Sequence, residues 1–263
     1  VGGLGLVTLT SFFALAARRR MGFRDLRLLG ESVSADGLSK ATEVLKIVIK
    51  LAAAFEAVGI VLLLFAFVPQ FGAKGIWISI FNSVSAFCNA GIDIIGDNSL
   101  CDYSGNALIT ATTAVLIILG GLGYIVWWDA ARVIKIRRQN GGRFFKNLTL
   151  HSKIVLISTA VLLITGTGLT LFFEYNNPLT IANLPLGEKI QASFFQSVTT
   201  RTAGFAGVPQ EDLTNPTALP SLLLMFIGGS PVGTAGGIKT VTAAVLLSIT
   251  VSMIGGKTSV SLF

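Results

Sequence analysis

The strongest constraint on this chain is the spacing of its apolar runs. Four of them, Val1 to Ala17, Val44 to Val68, Ala107 to Trp128 and Ile154 to Phe173, have about the length a helix needs to cross the hydrocarbon layer. A fifth, Thr217 to Ile254, would measure about 57 Å as one helix at 1.5 Å per residue, nearly twice that layer. Two further apolar stretches, Ile76 to Ala90 and Ile190 to Gly204, are too short to span. Charged residues make up only 13% of the 263, against roughly a quarter in soluble domains. In lipid the backbone polar groups must be satisfied within the protein, so runs of this length mean helices. The sequence therefore predicts an all-α, multi-pass protein of the cell membrane.

The net charge of +7 does not point to nucleic acid, because the basic residues are arranged by side. Fifteen of the twenty Lys and Arg lie in two stretches, Arg18 to Lys50 and Arg132 to Lys153. The segments expected on the opposite side carry Asp93, Asp97, Asp102, Glu174, Glu188, Glu211 and Asp212. A Lys/Arg excess marks the cytoplasmic face, so the charge reports topology. With the spans alternating, each short apolar segment must enter from outside, turn and return. The result is a repeated unit of span, re-entrant segment, span.

The repeat divides the chain into 1–39, the end of one unit with a cytoplasmic loop; 40–150, a complete unit; and 151–263, a second complete unit. Residues echo it. Phe81 to Gly91 (FNSVSAFCNAG) sits against Phe194 to Gly204 (FFQSVTTRTAG), and Gly2-Gly3-Leu4-Gly5 matches Gly120-Gly121-Leu122-Gly123. The absence of an initial Met and the lack of any terminal feature after Gly255 lead us to expect a fragment of a longer chain.

Non-helical backbone at membrane depth is tolerated where it lines water or binds ions. A short helix followed by an extended glycine strand does both. The helix aims its partially negative end at the centre, and the strand offers carbonyl oxygens in place of a cation's hydration shell. Asn89-Ala90-Gly91-Ile92 and Thr202-Ala203-Gly204-Phe205 have this form, which predicts a cation pore. The other reading of the short segments is a helix lying on the membrane surface, but such helices carry Lys/Arg on one face and Ile76 to Gly91 has no charge at all.

At Ser85 to Asp93, Phe194 to Phe205 (FFQSVTTRTAGF) and Phe226 to Thr240 (FIGGSPVGTAGGIKT) the chain resembles the Trk/Ktr/HKT superfamily of potassium transporters, most closely its KtrB/TrkH-type membrane subunits. The resemblance implies four units around one pore, with Gly91 and Gly204 as filter glycines. Asn89, Ala90, Ile92, Thr202, Ala203 and Phe205 complete the two filter strands, the carbonyls of Asn89, Ala90, Thr202 and Ala203 serving as ligands. The fourth unit would lie outside this chain, and two strands alone cannot enclose an ion.

The family's intramembrane gate maps to Gly228, Gly229, Ser230, Pro231, Val232, Gly233, Thr234, Ala235, Gly236 and Gly237, a flexible loop followed by Lys239, which would hydrogen-bond loop carbonyls. Glycine and proline at this density cannot hold a straight helix, which agrees with the excess length of the last run. Relatives often carry Gly-Ser where this chain has Val232-Gly233, so a bulkier side chain stands in the gate. Potassium would be the substrate, with sodium a second candidate and no cofactor. The resemblance also implies a homodimer of complete chains. A cytoplasmic nucleotide-binding regulatory ring would dock on the basic loops Arg18 to Arg27 and Arg132 to Lys146.

Gly233 to Thr240 lacks the consecutive Gly-Lys-Ser/Thr of a phosphate-binding loop, because Ile238 intervenes. Glu56, an acid inside a span, is a functional candidate by default, either as a proton or sodium site or paired with a neighbouring helix. Arg201 would repel a permeating cation, so it is expected to turn from the axis and brace the filter against an acid. Asp93 would concentrate cations at the mouth. Cys88 and Cys101 are expected to be free thiols, and the lone His151 structural. A membrane enzyme would need a nucleophile, base or metal set, and the spans offer none. The alternative of a different class is an ion-coupled secondary transporter with re-entrant hairpins, which would need polar groups converging at the midplane.

Overall fold

The structure, a computed structural model, describes residues 41–140 and 144–255. The expected first segment 1–39, with its Gly2-Gly3-Leu4-Gly5 echo and the Arg18 to Arg27 cluster, lies outside the described residues, as do Arg143 and 256–263.

The first described helix, α1 (Ala41–Phe71), runs through Pro69 rather than stopping at it. A proline in the last turn removes little, and the chain reverses instead at Gly72, whose φ of 58° closes the helix by an N–H bond to the Val68 carbonyl. The short helix α2 (Ala73–Phe87) then folds back across α1. A Cβ at Gly75 would fall on the Phe67 carbonyl, so only glycine permits this approach.

After a 3-10 turn at Cys101–Tyr103, α3 (Ala107–Leu122) starts at Asn106, whose Oδ1 accepts from the amides of Leu108 and Ile109. The run expected to be one span, Ala107 to Trp128, bends by 93° into α4 (Tyr124–Asn140). Gly123 makes the corner at φ 77°, and the carbonyls freed there are taken by a distant loop described below.

The second half repeats the order: α5 (Leu150–Glu174), the short α6 (Leu186–Thr199), α7 (Asn215–Phe226), a break, and α8 (Thr240–Ile254). The long last run is thus broken, as its length required. Ile47–Phe71 and Leu150–Glu174 are each long and apolar enough to cross a membrane, and the bent pair α3–α4 is a third candidate.

Each short helix packs on the long helix before it, α2 on α1 and α6 on α5, and α3 meets α6 across the two halves. Leu63, Phe67, Ile78, Phe87, Ile109, Leu116 and Phe195 form the apolar core at this seam. Two buried carboxylates staple the ends. Glu174, fully buried at the end of α5, accepts from the Thr214 amide and from Thr214, Thr217, Asn177 and Thr180 side chains. Asp129 on α4 accepts from the Thr149 amide and hydroxyl at the start of α5 and pairs with Arg132 at 2.6 Å.

Candidate ion-conduction site

Two side-chain contacts recur in the two halves of the described structure. In the first, Gly59 of α1 faces Ser83 of α2, and Ser83 Oγ donates to the Glu56 carbonyl at 2.8 Å. In the second, Gly166 of α5 faces Ser197 of α6, and Ser197 Oγ donates to the Leu163 carbonyl at 3.0 Å. In both, the accepting carbonyl lies three residues before the glycine. Two residues further along each short helix, a hydroxyl reaches the residue just after the candidate filter glycine. Ser85 Oγ bonds the Ile92 carbonyl and accepts from its amide, and Thr199 Oγ1 donates to the Phe205 carbonyl at 2.6 Å.

These contacts correct the sequence register. Matching Phe81 with Phe194 pairs Ser83 with Gln196, whereas the fold pairs Ser83 with Ser197 and Ser85 with Thr199. The first unit holds one extra residue in the turn, Ala86 to Cys88 against Thr200-Arg201. Phenylalanines at the start and Ala-Gly at the end could not reveal a one-residue insertion between them.

The strands then resume the same conformation. Asn89 and Gly91 have φ of 50° and 65°, Thr202 and Gly204 of 69° and 92°. They meet glycine to glycine. A Cβ on Gly91 would overlap the Ala203 carbonyl oxygen and lie 2.5 Å from Gly204 Cα, and one on Gly204 would lie 3.0 Å from Gly91 Cα. Ala203 and Phe205 are buried, Asn89, Ala90, Gly91 and Thr202 half-buried, and Gly204 and Ile92 exposed. Beyond the glycines the two units are tied by Leu100 N donating to the Ala206 carbonyl at 3.0 Å and by Ala206 N donating to Ser99 Oγ. Ser99 in turn donates to Asp93 Oδ2, fixing that acid beside the strand.

The break between α7 and α8 is not a slack loop. Ile227 and Ile238 bridge in parallel, Gly228 N donates to Ile238 O, Gly229 N to Gly236 O, Ile238 N to Phe226 O and Thr240 N to Gly229 O. Gly228, Gly229, Ser230, Pro231, Gly233, Thr234, Ala235, Gly236 and Gly237 thus fold into a pin. The pin docks on the bend of the other unit: Ser230 N donates to Gly121 O, Thr234 N to Gly120 O, and Ser230 Oγ to Leu122 O. The bend at Gly123 and the break at Gly228 therefore satisfy one another's backbone groups. A Cβ at Gly228 would collide with the Gly236 carbonyl, so the pin closes only over glycine. Gly233 N bonds Ser230 O across Pro231 and Val232, and Val232 holds a φ of 62°. Lys239 Nζ donates to the Ala235 carbonyl at 2.7 Å.

The pin also touches both strands. Asn89 Nδ2 donates to Thr234 Oγ1 at 2.9 Å, and Gly236 N donates to Thr202 Oγ1 at 2.8 Å. Arg201, only 8% exposed, donates through Nη2 to the Gly228 carbonyl at 2.9 Å. The expected acid partner is not there among the described residues. In place of a carboxylate, the guanidinium meets the Gly228 carbonyl just past the C-terminal end of α7, and its Nε is buried without a hydrogen-bond partner. A small cavity of about 10 Å³ is lined by Asn89, Val198, Arg201, Gly229 and Ala235 among others.

Glu56 is half-buried on α1, Cys88 and Cys101 are free thiols, and the described residues hold no cluster of metal-ligating side chains. Sequence reasoning assigned no role to Ser83, Ser85, Ser197 and Thr199. Their signal was hydroxyls at matching places in apolar segments, which is legible only once the register is known.

A family profile described as "TrkH: Cation transport protein" matches residues 1–262. The chain is 38% identical over its full length to the potassium/sodium uptake protein NtpJ of Enterococcus hirae, covering 56% of that protein. It is 35% and 32% identical, again over its full length, to the Ktr system potassium uptake protein B of Vibrio alginolyticus and of Bacillus subtilis, covering 56% and 57% of them. The chain thus spans about half the length of the curated relatives it matches. Its fold matches the crystal structure of the potassium transporter TrkH from Vibrio parahaemolyticus with a TM-score of 0.67 at 16% identity, over 99% of this chain and 49% of that one. On the profile, the full-length identities and the shared fold, this chain belongs to the TrkH family of cation transport proteins.

Proposed function

We propose that the protein containing this chain takes up potassium through a filter to which Asn89-Ala90-Gly91-Ile92 and Thr202-Ala203-Gly204-Phe205 contribute two strands, gated by the 228–237 pin. The observation that carries the reading is the meeting of two equivalent glycine turns, each at the carbonyl end of a short helix, with the pin bonded against both. A dehydrated cation needs carbonyl oxygens fixed in place. The hydroxyls of Ser85 and Thr199 pin the far end of each strand, and the Ala90 and Ala203 amides, bonded to Ser85 O and Thr199 O, pin the near end.

Entry would be driven by the membrane potential, and Asp93 would raise cation concentration at the mouth. Sodium is the second candidate cation, since one relative is named for potassium and sodium uptake. A homodimer of complete chains, in the cell membrane and under a nucleotide-binding regulatory ring on the Arg132 to Lys146 loop, completes the proposal.

The test is potassium and sodium uptake by the full-length protein in cells lacking other potassium uptake, with and without Gly204→Ser. A side chain there meets the Gly91 backbone at a φ of 92° that L-residues avoid. Loss of potassium selectivity or of uptake, at normal membrane abundance, is expected. Unchanged uptake and selectivity would make the glycine turn structural and favour the secondary-transporter alternative.

A further inference from the structure

We infer that the two filter strands themselves latch the pin, through the side chains of the equivalent residues Asn89 and Thr202, so that the pin cannot leave without releasing both strands. The inference rests on the pore reading above and adds to it the groups that hold the closed state.

Three observations carry it. First, Asn89 and Thr202 occupy the same place in their units, two residues before the glycine, and both adopt left-handed backbone. Their side chains bond one loop at sites two residues apart, Thr234 Oγ1 and the Gly236 amide. Second, of the four non-glycine residues with positive φ among the described residues, three, Asn89, Thr202 and Val232, sit at this junction. Such conformations cost energy and persist where surrounding contacts over-determine them. Here those contacts include the pin. Third, Arg201, next to Thr202, donates to Gly228, the hinge at which the pin leaves α7. The pin is therefore held at its hinge by Arg201, at its middle by Asn89 and near its end by Thr202, while its backbone amides rest on the α3 carbonyls.

Asn89 and Thr202 act through their side chains as positioning residues for the pin, separately from any carbonyl their backbone offers to a cation. Linkage makes the effect mutual. Whatever stabilises the left-handed turns favours the closed pin, and an open pin loosens the near end of both strands.

The experiment uses the full-length protein with Thr234→Val and Thr202→Val, which keep side-chain shape and remove the hydroxyl acceptors, and with Thr234→Ser and Thr202→Ser, which keep them. The readouts are resting potassium and sodium uptake in cells and hydrogen–deuterium exchange across 228–237 in purified protein. One net hydrogen bond of ordinary strength corresponds to a change of about fivefold. Each valine variant is expected to raise resting uptake about fivefold and speed exchange in the pin similarly. The serine variants, which keep the acceptor oxygen, are expected to return exchange in the pin to the wild-type rate. Unchanged exchange at Gly236 in Thr202→Val, or resting uptake that stays flat or falls in both valine variants at normal abundance, overturns the latch. If wild-type protein itself moves no cation, the pore reading fails, while the exchange data still decide whether the strands hold the pin.

Discussion

Val232 stands where the pin turns, with Pro231 before it and a bond from Gly233 N to Ser230 O closing four residues. This is the pattern of a type II turn, whose third position asks for glycine because its φ is positive. A β-branched residue at φ 62° is an outlier that costs roughly 1–3 kcal/mol. Replacing it by glycine removes that cost but adds about 0.5–1 kcal/mol of backbone entropy to be lost on closing. The difference is about 1 kcal/mol in favour of the closed pin, or about fivefold in its opening equilibrium. Val232→Gly is therefore expected to slow hydrogen–deuterium exchange of the Gly228, Gly229, Thr234 and Ile238 amides about fivefold in purified full-length protein. Resting potassium uptake should fall by a similar factor without a change in selectivity. Val232→Ala, which keeps the Cβ, should recover only part of the effect. Faster exchange in Val232→Gly would refute the argument, since it would mean that the valine side chain anchors the pin rather than straining it.

Two further expectations concern the frame. Glu174→Ala strands five donors at the α5–α7 junction, each bond to a carboxylate being worth about 1.5–3 kcal/mol without full additivity. It should lower the melting temperature of the solubilised protein markedly and Glu174→Gln less so; a wild-type melting temperature for Glu174→Ala would show that the donors find other partners. Burial, reinforced by the Asp102 carboxylate, pushes the Cys101 thiol above its ordinary range. Only the thiolate reacts, so in a Cys88→Ser background maleimide labelling should be slow at pH 7 and still climbing at pH 9, and a plateau below pH 8.5 would contradict this.

Much of the architecture was legible because the lipid solvent imposes lengths. A helix must be long enough to cross, so Ile76 to Ala90 and Ile190 to Gly204 could not be spans, and they fold as the short helices α2 and α6. The break in the last run followed from the same arithmetic and from five glycines in ten residues. The bend after Ala107–Leu122 was not legible, although its signal, Gly120-Gly121-Leu122-Gly123, matches the Gly228-Gly229 break. A glycine pair permits a bend but does not require one. What requires it is the pin of the other unit, which bonds the Gly120, Gly121 and Leu122 carbonyls.

The sequence by itself determined that this chain is helical and membrane-embedded, which apolar runs are too short to span, and which glycines could turn in tight quarters. Those properties follow from local composition and from the cost of unpaired backbone in lipid. Only the tertiary structure decided the one-residue shift between the units, the carbonyl that receives Arg201, and the grip of Asn89 and Thr202 on the pin. Each is a contact between residues 27 to 145 positions apart or a register fixed by such contacts. No local pattern encodes which donor will meet which acceptor once two equivalent units close on one another.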